Sequence, residues 1–273
     1  MSRPISLGAW FLMICLSACG GTESKAPSTP TSPATPTTPP PPALPIAASG
    51  PNWSFRFEGL SDAGITGPYG KTAPLTALEG SLNASGESVT AVMQPFGRCL
   101  FGDGNRVYFT GTRSGGTIEM VSQAAQGEVV RINATLSAAG ETLQGTYTIT
   151  GTCGAGKTGQ MIGRRVDWTG IWTGTIGAIP AVFDMQMAST PDGEANYVLS
   201  GTVTFSNTQC FPKAVITRRA RGRVAFPDVV GDTQRLEIIA EISEDLSSMF
   251  INSVLVAGTC PELSFSSGRL VRQ

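Results

Sequence analysis

The sequence predicts an all-β protein made of two tandem copies of one domain, and three observations support this. No window of about a dozen residues keeps the apolar period of 3.6 residues that a helix requires, whereas several segments alternate apolar and polar side chains. Glycine is abundant, with 33 residues, and glycine-containing turn signals separate these segments. The third observation is an internal duplication of the chain that follows Pro51.

Residues 1–18 have the features of a lipoprotein signal peptide. Their apolar run, residues 5–16, is shorter than the roughly 20 residues of a membrane-spanning helix. Residues 16–19, LSAC, resemble the lipobox of bacterial lipoproteins, whose cysteine receives diacylglycerol before cleavage. The resemblance implies export, cleavage before Cys19 and a lipid anchor on a bacterial membrane. By analogy with that family, Gly20 in place of Asp after the lipidated cysteine favours sorting to the outer membrane, on its periplasmic or surface side, if the host has one.

Residues 19–51 are predicted to be the lipidated Cys19 followed by a disordered tether. Nine of the twenty positions in residues 26–45 are proline, and most of the others are Ser, Thr or Ala. Such a segment buries too little apolar surface to order itself. At about 3.1 Å per residue in polyproline II, twenty residues would reach roughly 60 Å from the bilayer. The alternative, a docking site for a proline-reading module, requires an exported partner.

The duplication divides the rest of the chain into repeat 1, residues 52–166, and repeat 2, residues 167–273. Corresponding segments are 53–59 and 168–174, 151–153 and 258–260, and 163–166 and 268–271. Each repeat has the length of an ordinary domain. We therefore expect two domains that fold independently.

Alternating segments in both repeats predict half-buried strands. The apolar positions are Val130, Ile132, Ala134 and Leu136 in repeat 1, and Tyr197, Leu199, Val203 and Phe205 in repeat 2. Turn signals such as Asp103-Gly104, Gly115-Gly116 and Pro191-Asp192-Gly193 cut each repeat into about eight strands. This number suits a closed antiparallel barrel, with a β-sandwich as the alternative.

Four cysteines remain after Cys19, and the duplication suggests how they pair. Equivalent positions favour disulfides between Cys99 and Cys153 and between Cys210 and Cys260. On the chain-entropy model, a bridge that closes a loop of about 50 residues is worth about 4 kcal/mol. The rival interpretation, a zinc site of four thiolates, lacks any C-x-x-C pair. We therefore predict no metal, and no cofactor is expected.

Composition excludes several classes of function. The chain has no histidine, which excludes Ser-His-Asp and Cys-His catalysis and histidine-bound metals. A net charge of -1 provides no global field to attract nucleic acid. Glu237 and Glu241, four residues apart on one strand, would lie roughly 13 Å apart, too far for a glycosidase pair. We therefore do not predict an enzyme.

A P-loop match in residues 151–158, GTCGAGKT, is also rejected. The motif requires a helix directly after it, but residues 159–163 are predicted to form a strand. A glycine-rich hairpin turn explains the match.

Residues 170–172, Gly-Ile-Trp, resemble the G-x-W motif of lipocalins and avidins. Barrels of that type cover the tryptophan with a basic side chain from near the end of the chain, a cation–π contact. The resemblance implies that Arg269 or Arg272 covers Trp172. Repeat 1 has Phe-Arg-Phe at residues 55–57 in place of the motif. The remaining candidates for barrel closure are Trp53, Arg164 and Arg165 in repeat 1. A further candidate is Trp168, at the start of repeat 2.

The whole pattern is similar to uncharacterised bacterial lipoproteins. They share G-x-W-x-G, a central cysteine, G-T-Y or similar before G-x-C, and a terminal arginine. This resemblance implies tandem lipocalin- or avidin-like barrels in the cell envelope, and it implies no activity.

The best candidate for an anion-binding patch is the basic run of Arg218, Arg219, Arg221 and Arg223, with Lys213 nearby. If the strand continues, Arg219, Arg221 and Arg223 project from one face about 6.6 Å apart, which would suit phosphate or sulfate groups. The alternative is cross-strand pairing with Glu237 and Glu241.

These observations favour a non-catalytic binding or interaction module. Candidate ligands are an envelope glycan, a lipid, or a small apolar molecule inside a barrel that side chains do not fill. The alternatives are a structural spacer and a carboxylate-dependent hydrolase. The oligomeric state is not predicted.

Overall fold

The computed structural model describes residues 49–60, 77–96, 101, 105–125, 127–151, 156–206, 211, 214–231, 234–258, 263 and 266–273. The predicted signal peptide, most of the tether, and the cysteines at 19, 99, 153, 210 and 260 lie outside these residues. All regular structure in the described part consists of β-strands, apart from one residue in a 3-10 turn. The described residues contain no helix long and apolar enough to cross a membrane.

Repeat 1 forms a closed barrel of eight antiparallel strands, barrel 1. The strands pair in chain order, and β8 pairs with β1 to close the barrel. Its strands are β1 (Asn52–Phe57), β2 (Ala77–Ser85), β3 (Ser88–Phe96), β4 (Val107–Ser114), β5 (Thr117–Ser122), β6 (Val129–Leu136), β7 (Thr142–Thr150) and β8 (Thr158–Arg165). This is an up-and-down barrel, in which every strand has two partners and no edge is left open.

Two-residue turns set the register of several hairpins. Ser114 pairs with Thr117, so Gly115-Gly116 forms the β4–β5 turn that the sequence predicts. Gly115 has a φ of +57°, which a two-residue hairpin turn of the favoured type requires. Residues 158–165 form strand β8, so the helix that a P-loop needs is absent from this part of the described chain.

The interior of barrel 1 is filled by its own side chains. Trp53, Phe55 and Phe57 point inward from β1, and no member of the buried apolar cluster exceeds 4% exposure. The alternation predicted for β6 is confirmed, because Val130, Ile132 and Ala134 are buried between exposed neighbours.

Repeat 2 forms a second closed barrel, barrel 2, in which nine strands occupy eight positions. Its strands are β9 (Gly170–Ile176), β10 (Ile179–Met187), β11 (Tyr197–Phe205), β12 (Ala214–Arg221), β13 (Val224–Ala225), β14 (Asp228–Val230), β15 (Arg235–Ile242), β16 (Ser248–Ala257) and β17 (Ser266–Arg272). Strands β13 and β14 share one position, since both pair with β12 and β15. The pairings of β11 with β12 and of β17 with β9 complete the ring. The prediction of two antiparallel barrels is confirmed, and the sandwich alternative is wrong.

Barrel 2 is filled in the same way. Its buried cluster includes Trp172, Phe183 and Phe211, and no member exceeds 8% exposure. The alternation predicted for β11 is confirmed. An eight-stranded ring is just narrow enough for side chains to occupy its interior, and here they do so in both copies.

Candidate binding pocket at the junction of the two barrels

Polar side chains on the outer face of barrel 1 are buried where strands β1 and β2 meet barrel 2. Asn52 and Ser54 alternate with the inward aromatic residues of β1, and Glu79 and Ser81 point outward from β2. Outward positions of a barrel normally face water, yet these four side chains are at most 5% exposed. Two of them, Asn52 and Glu79, contact repeat 2 directly.

The first contact of this junction joins Asn52 to Gly222. Gly222 lies in the two-residue turn between β12 and β13, with a φ of +52°. Its backbone N–H donates to Asn52 Oδ1 at 2.6 Å, and Asn52 Nδ2 donates to its carbonyl oxygen at 3.1 Å. The Trp168 indole N–H also donates to that carbonyl, at 2.9 Å. The Asn52 side-chain amide therefore bonds both the backbone N–H and the carbonyl oxygen of Gly222.

The second contact is made by Glu79. Its Oε1 accepts a hydrogen bond from the Ser54 hydroxyl at 2.8 Å, and its Oε2 accepts one from the Arg223 backbone N–H at 2.9 Å. Burial raises the pKa of Glu79 to about 7, although the nearby Arg223 charge and these hydrogen bonds act to lower it. A Cβ on residue 222 would overlap Glu79 Oε2, so only glycine fits there.

Ion pairs surround these buried contacts. Arg56 pairs with Glu244, and Arg106 Nη2 lies 2.8 Å from Glu194 Oε1, each pair joining one barrel to the other. All four side chains are about a third exposed or more, so each pair adds little stability.

A pocket of about 470 Å³ opens beside Glu79 at this junction, and we call it the junction pocket. Glu79 contributes from barrel 1. Barrel 2 contributes side chains from the loop before β11, from β12 and from the residues after it, among them Glu194, Asn196, Arg218, Arg219, Arg221 and Phe226. Its volume lies within the range of about 300 to 1,000 Å³ that is usual for small-molecule sites.

The structure corrects the predicted geometry of the basic run. Arg219 and Arg221 lie on β12, but the strand ends at Arg221 because Gly222 turns the chain back, so Arg223 lies in the turn. Arg218 joins them at the pocket although simple alternation would point it inward. Its φ of +109° interrupts the alternation, and its side chain is 46% exposed. This irregularity keeps a charge out of the apolar interior.

Each of these arginines has a polar partner. Arg219 Nε lies 3.3 Å from Asp192 Oδ2, and Arg221 donates to Asn196 Oδ1. Arg223 Nη2 lies 3.6 Å from Glu241 Oε1, and Arg218 Nη2 lies 3.7 Å from Glu237 Oε1, so the predicted cross-strand pairing with both glutamates is present. Binding of an anion by Arg219, Arg221 and Arg223 stays a prediction.

A turn at Asp192 positions the acidic and amide groups of the pocket. Asp192 Oδ1 accepts hydrogen bonds from the backbone N–H groups of Glu194 and Asn196, at 2.8 and 3.0 Å. Although burial acts to raise the pKa of Asp192, these hydrogen bonds and the charge of Arg219 hold it below its usual value. The ionised side chain thus fixes the loop that carries Glu194 and Asn196.

Arg221 is the most deeply buried arginine of the pocket. Burial lowers its pKa, against the raising effect of Asp192 and Glu194. Its Nε is buried and has no hydrogen-bond partner among the described residues. Burying the Arg221 guanidinium with an unpartnered Nε lowers the stability of the fold. Such buried charges are found at functional sites more often than on ordinary surfaces.

In barrel 2, the two candidate arginines for covering Trp172 lie against different aromatic rings. The Arg272 guanidinium lies 4.8 Å from the ring centre of Trp172, whereas Arg269 lies 5.5 Å from that of Phe250. Arg272 therefore covers the tryptophan, and the choice of Arg269 is corrected. Position explains the difference, since Arg269 stands opposite Phe250 in the β16–β17 register while Arg272 stands opposite Trp172 in the β17–β9 register.

In barrel 1, Trp53 is buried and packs edge-on against Phe55, with ring centres 6.2 Å apart. Arg164 stands opposite the outward-facing Ser54, so it lies on the outer face and does not cover Trp53. Trp168, the third candidate, is buried in the connection between the barrels, where it accepts a hydrogen bond from the Trp172 indole on its carbonyl.

No metal-binding group is found in the described part of the chain, where no three Cys, Asp or Glu side chains come together in a way that could hold an ion.

Comparison with protein-family models, with curated proteins and with solved structures finds no match to this chain.

Sequence reasoning did not identify Glu79, Asn52, Glu194 or Asn196. Polar residues at outward strand positions are ordinary, so nothing in their spacing marks them. The one signal in the sequence that points to Glu194 and Asn196 is the Pro191-Asp192-Gly193 turn directly before them, because such turns present ordered side chains.

Proposed function

We propose that this protein is a membrane-anchored lipoprotein of the bacterial envelope that binds a small ligand in the junction pocket and does not catalyse a reaction. The observation that carries the proposal is the pocket itself. It combines arginine, carboxylate, amide and aromatic groups in about 470 Å³, on a surface to which both barrels contribute.

The junction is a better site than either barrel interior. A ligand inside a barrel would have to displace the buried side chains that fill it, and overpacking a filled core costs roughly 1 to 3 kcal/mol or more. The pocket requires no such displacement. Its walls are also held by the Asn52–Gly222 and Glu79–Arg223 contacts, so little ordering is needed when a ligand binds.

Binding to envelope components tests this proposal. The mature protein in detergent would be titrated by calorimetry with neutral oligosaccharides, inorganic phosphate and phosphatidylglycerol vesicles. We expect one of these to bind, and Arg219→Ala to weaken that binding by about tenfold or more, a loss of about 1.4 kcal/mol. Arg113→Ala, at a half-buried site on β4 outside the pocket, is the matched control and should leave binding unchanged. Binding that Arg219→Ala does not affect would refute the junction pocket as the site.

The proposed location depends on Cys19. Cells grown with a clickable fatty acid should label the wild-type protein, and Cys19→Ala should abolish the label. Label retained by the variant would contradict the lipid anchor and leave the pocket unaffected.

A further inference from the structure

Two of the three arginines of the junction pocket are already paired with carboxylates, whereas Arg221 bonds the neutral Asn196 amide. Arg218 Nε lies 2.8 Å from Asp228 Oδ2, and Arg219 Nε lies 3.3 Å from Asp192 Oδ2. Arg219 Nη1 also lies 3.5 Å from Glu194 Oε2. An anionic ligand would have to displace these carboxylates, and a cationic ligand would meet three guanidinium groups. The pocket instead favours a neutral ligand that both donates and accepts hydrogen bonds.

Phe226 provides the accessible apolar surface of the pocket. Its side chain is 48% exposed, whereas the apolar neighbours Ala220 and Val224 are 1% and 6% exposed. Pro227 explains this position, because a proline cannot donate a ladder hydrogen bond and the strand is interrupted at residues 226 and 227, between β13 and β14. One aromatic face is too small for a lipid chain but suits the C–H face of a sugar ring.

The polar groups next to this ring are held in place. Glu194 and Asn196 belong to the turn fixed by Asp192, and Arg219 is braced between Asp192 and Glu194. Planar carboxylate and guanidinium groups in fixed positions can each bond two adjacent hydroxyl groups. Neighbouring hydroxyls on a ring are the defining feature of saccharides.

From these observations we infer that the junction pocket binds a neutral saccharide, with one ring stacked on Phe226 and its hydroxyl groups bonded to Glu194 and Arg219. This inference rests on the proposed binding function and names its ligand class. Because the ligand is uncharged, its affinity should change little with ionic strength, unlike that of phosphate or an anionic lipid.

The experiment uses the full mature protein in detergent with a panel of neutral disaccharides, including cellobiose, maltose and diacetylchitobiose. Saturation-transfer NMR detects which of them binds, and calorimetry measures the affinity. Phe226→Leu removes the aromatic face and keeps an apolar side chain, so it should weaken binding by about tenfold or more. Phe226→Tyr keeps the face and should bind within about twofold of wild type. Both variants alter a half-exposed side chain, so the fold is retained, and circular dichroism checks this.

Three results would overturn the inference. If phosphate or phosphatidylglycerol vesicles bind through Arg219 while the disaccharides do not, the pocket is a ligand site but its ligand is anionic. If disaccharides bind equally well to the Phe226→Leu and Phe226→Tyr variants, the sugar ring does not stack on Phe226. If no probe binds at all, the proposed function fails together with its ligand class.

Discussion

Glu79 shows how one buried carboxyl group links the stability of the junction to pH. Its pKa is raised from 4.5 to about 7, chiefly by burial, with Arg223 opposing and Glu241 adding to the shift. In an unfolded chain the group regains its ordinary pKa. Between about pH 4.5 and pH 7 the folded protein therefore holds a proton that the unfolded chain has released. The stability that this group contributes is fully present below about pH 4.5 and is lost as the pH rises to about 7.

Glu79→Gln should reduce this pH dependence, because glutamine has the same shape and does not titrate. Between about pH 5 and pH 8, the free energy of unfolding of the wild type should fall relative to that of the variant by something on the order of 2 to 3 kcal/mol. Urea unfolding at both pH values measures the difference. Glu119→Gln, on the exposed outer face of β5, is the control and should keep the wild-type slope. Equal slopes in all three proteins would show that Glu79 does not carry the effect.

Gly222 is the second residue on which the junction depends. Alanine there would be strained at a φ of +52°, and its Cβ would overlap Glu79 Oε2. Gly86 has a similar φ of +60°, but an alanine Cβ there would meet no atom within 4 Å, so Gly86→Ala isolates the cost of the backbone. We expect about 1 kcal/mol of destabilisation for Gly86→Ala and about 3 kcal/mol or more for Gly222→Ala, measured by urea unfolding. Similar losses at the two positions would contradict the close contact with Glu79.

At the scale of elements, the sequence predicts what depends on local periodicity. The inward faces of β6 and β11 and the Gly115-Gly116 turn follow from alternation and turn chemistry, which neighbouring residues determine. The end of β12 was missed because the residues after Arg221 continue a regular spacing of arginines. A left-handed glycine ends the strand instead, and one sequence contains no direct sign of its φ.

The burial of Asn52, Ser54 and Glu79 could not be predicted for a different reason. Each occupies an outward position of its own barrel, where alternation predicts exposure to water. What buries them is a turn some 140 to 170 residues later in the chain. No periodicity within β1 or β2 encodes that distant contact.

The disulfide prediction concerns four cysteines that lie outside the described residues. Peptide mapping under non-reducing conditions should recover Cys99 linked to Cys153 and Cys210 linked to Cys260, with no free thiol in the mature protein. Reduction should then lower the stability of each barrel by roughly 4 kcal/mol, or by less if the reduced chain stays compact. A link between the two repeats would argue for an intertwined arrangement, and four free thiols would count against an oxidising compartment.

At the scale of the whole molecule, the duplication predicts that each repeat folds alone, and the junction predicts that joining the repeats adds stability. Each barrel closes on itself and has its own core, so residues 50–166 and 167–273 should each unfold cooperatively with β-type circular dichroism. Each half should be less stable than the joined protein, because separation removes the partners of Asn52 and Gly222. If both halves are unfolded while the joined chain folds, the two repeats depend on each other for their structure.

The ligand site that two filled barrels create between them is tested most directly by crystallography. A crystal of the mature protein would be soaked with a disaccharide that binds in solution. We expect a sugar ring against Phe226, with hydroxyl groups within hydrogen-bond distance of Glu194 and Arg219. A sugar in the polar concavity on the outer face of barrel 1, against Thr110, Arg131 and Thr146, would contradict this expectation, and so would one enclosed within either barrel.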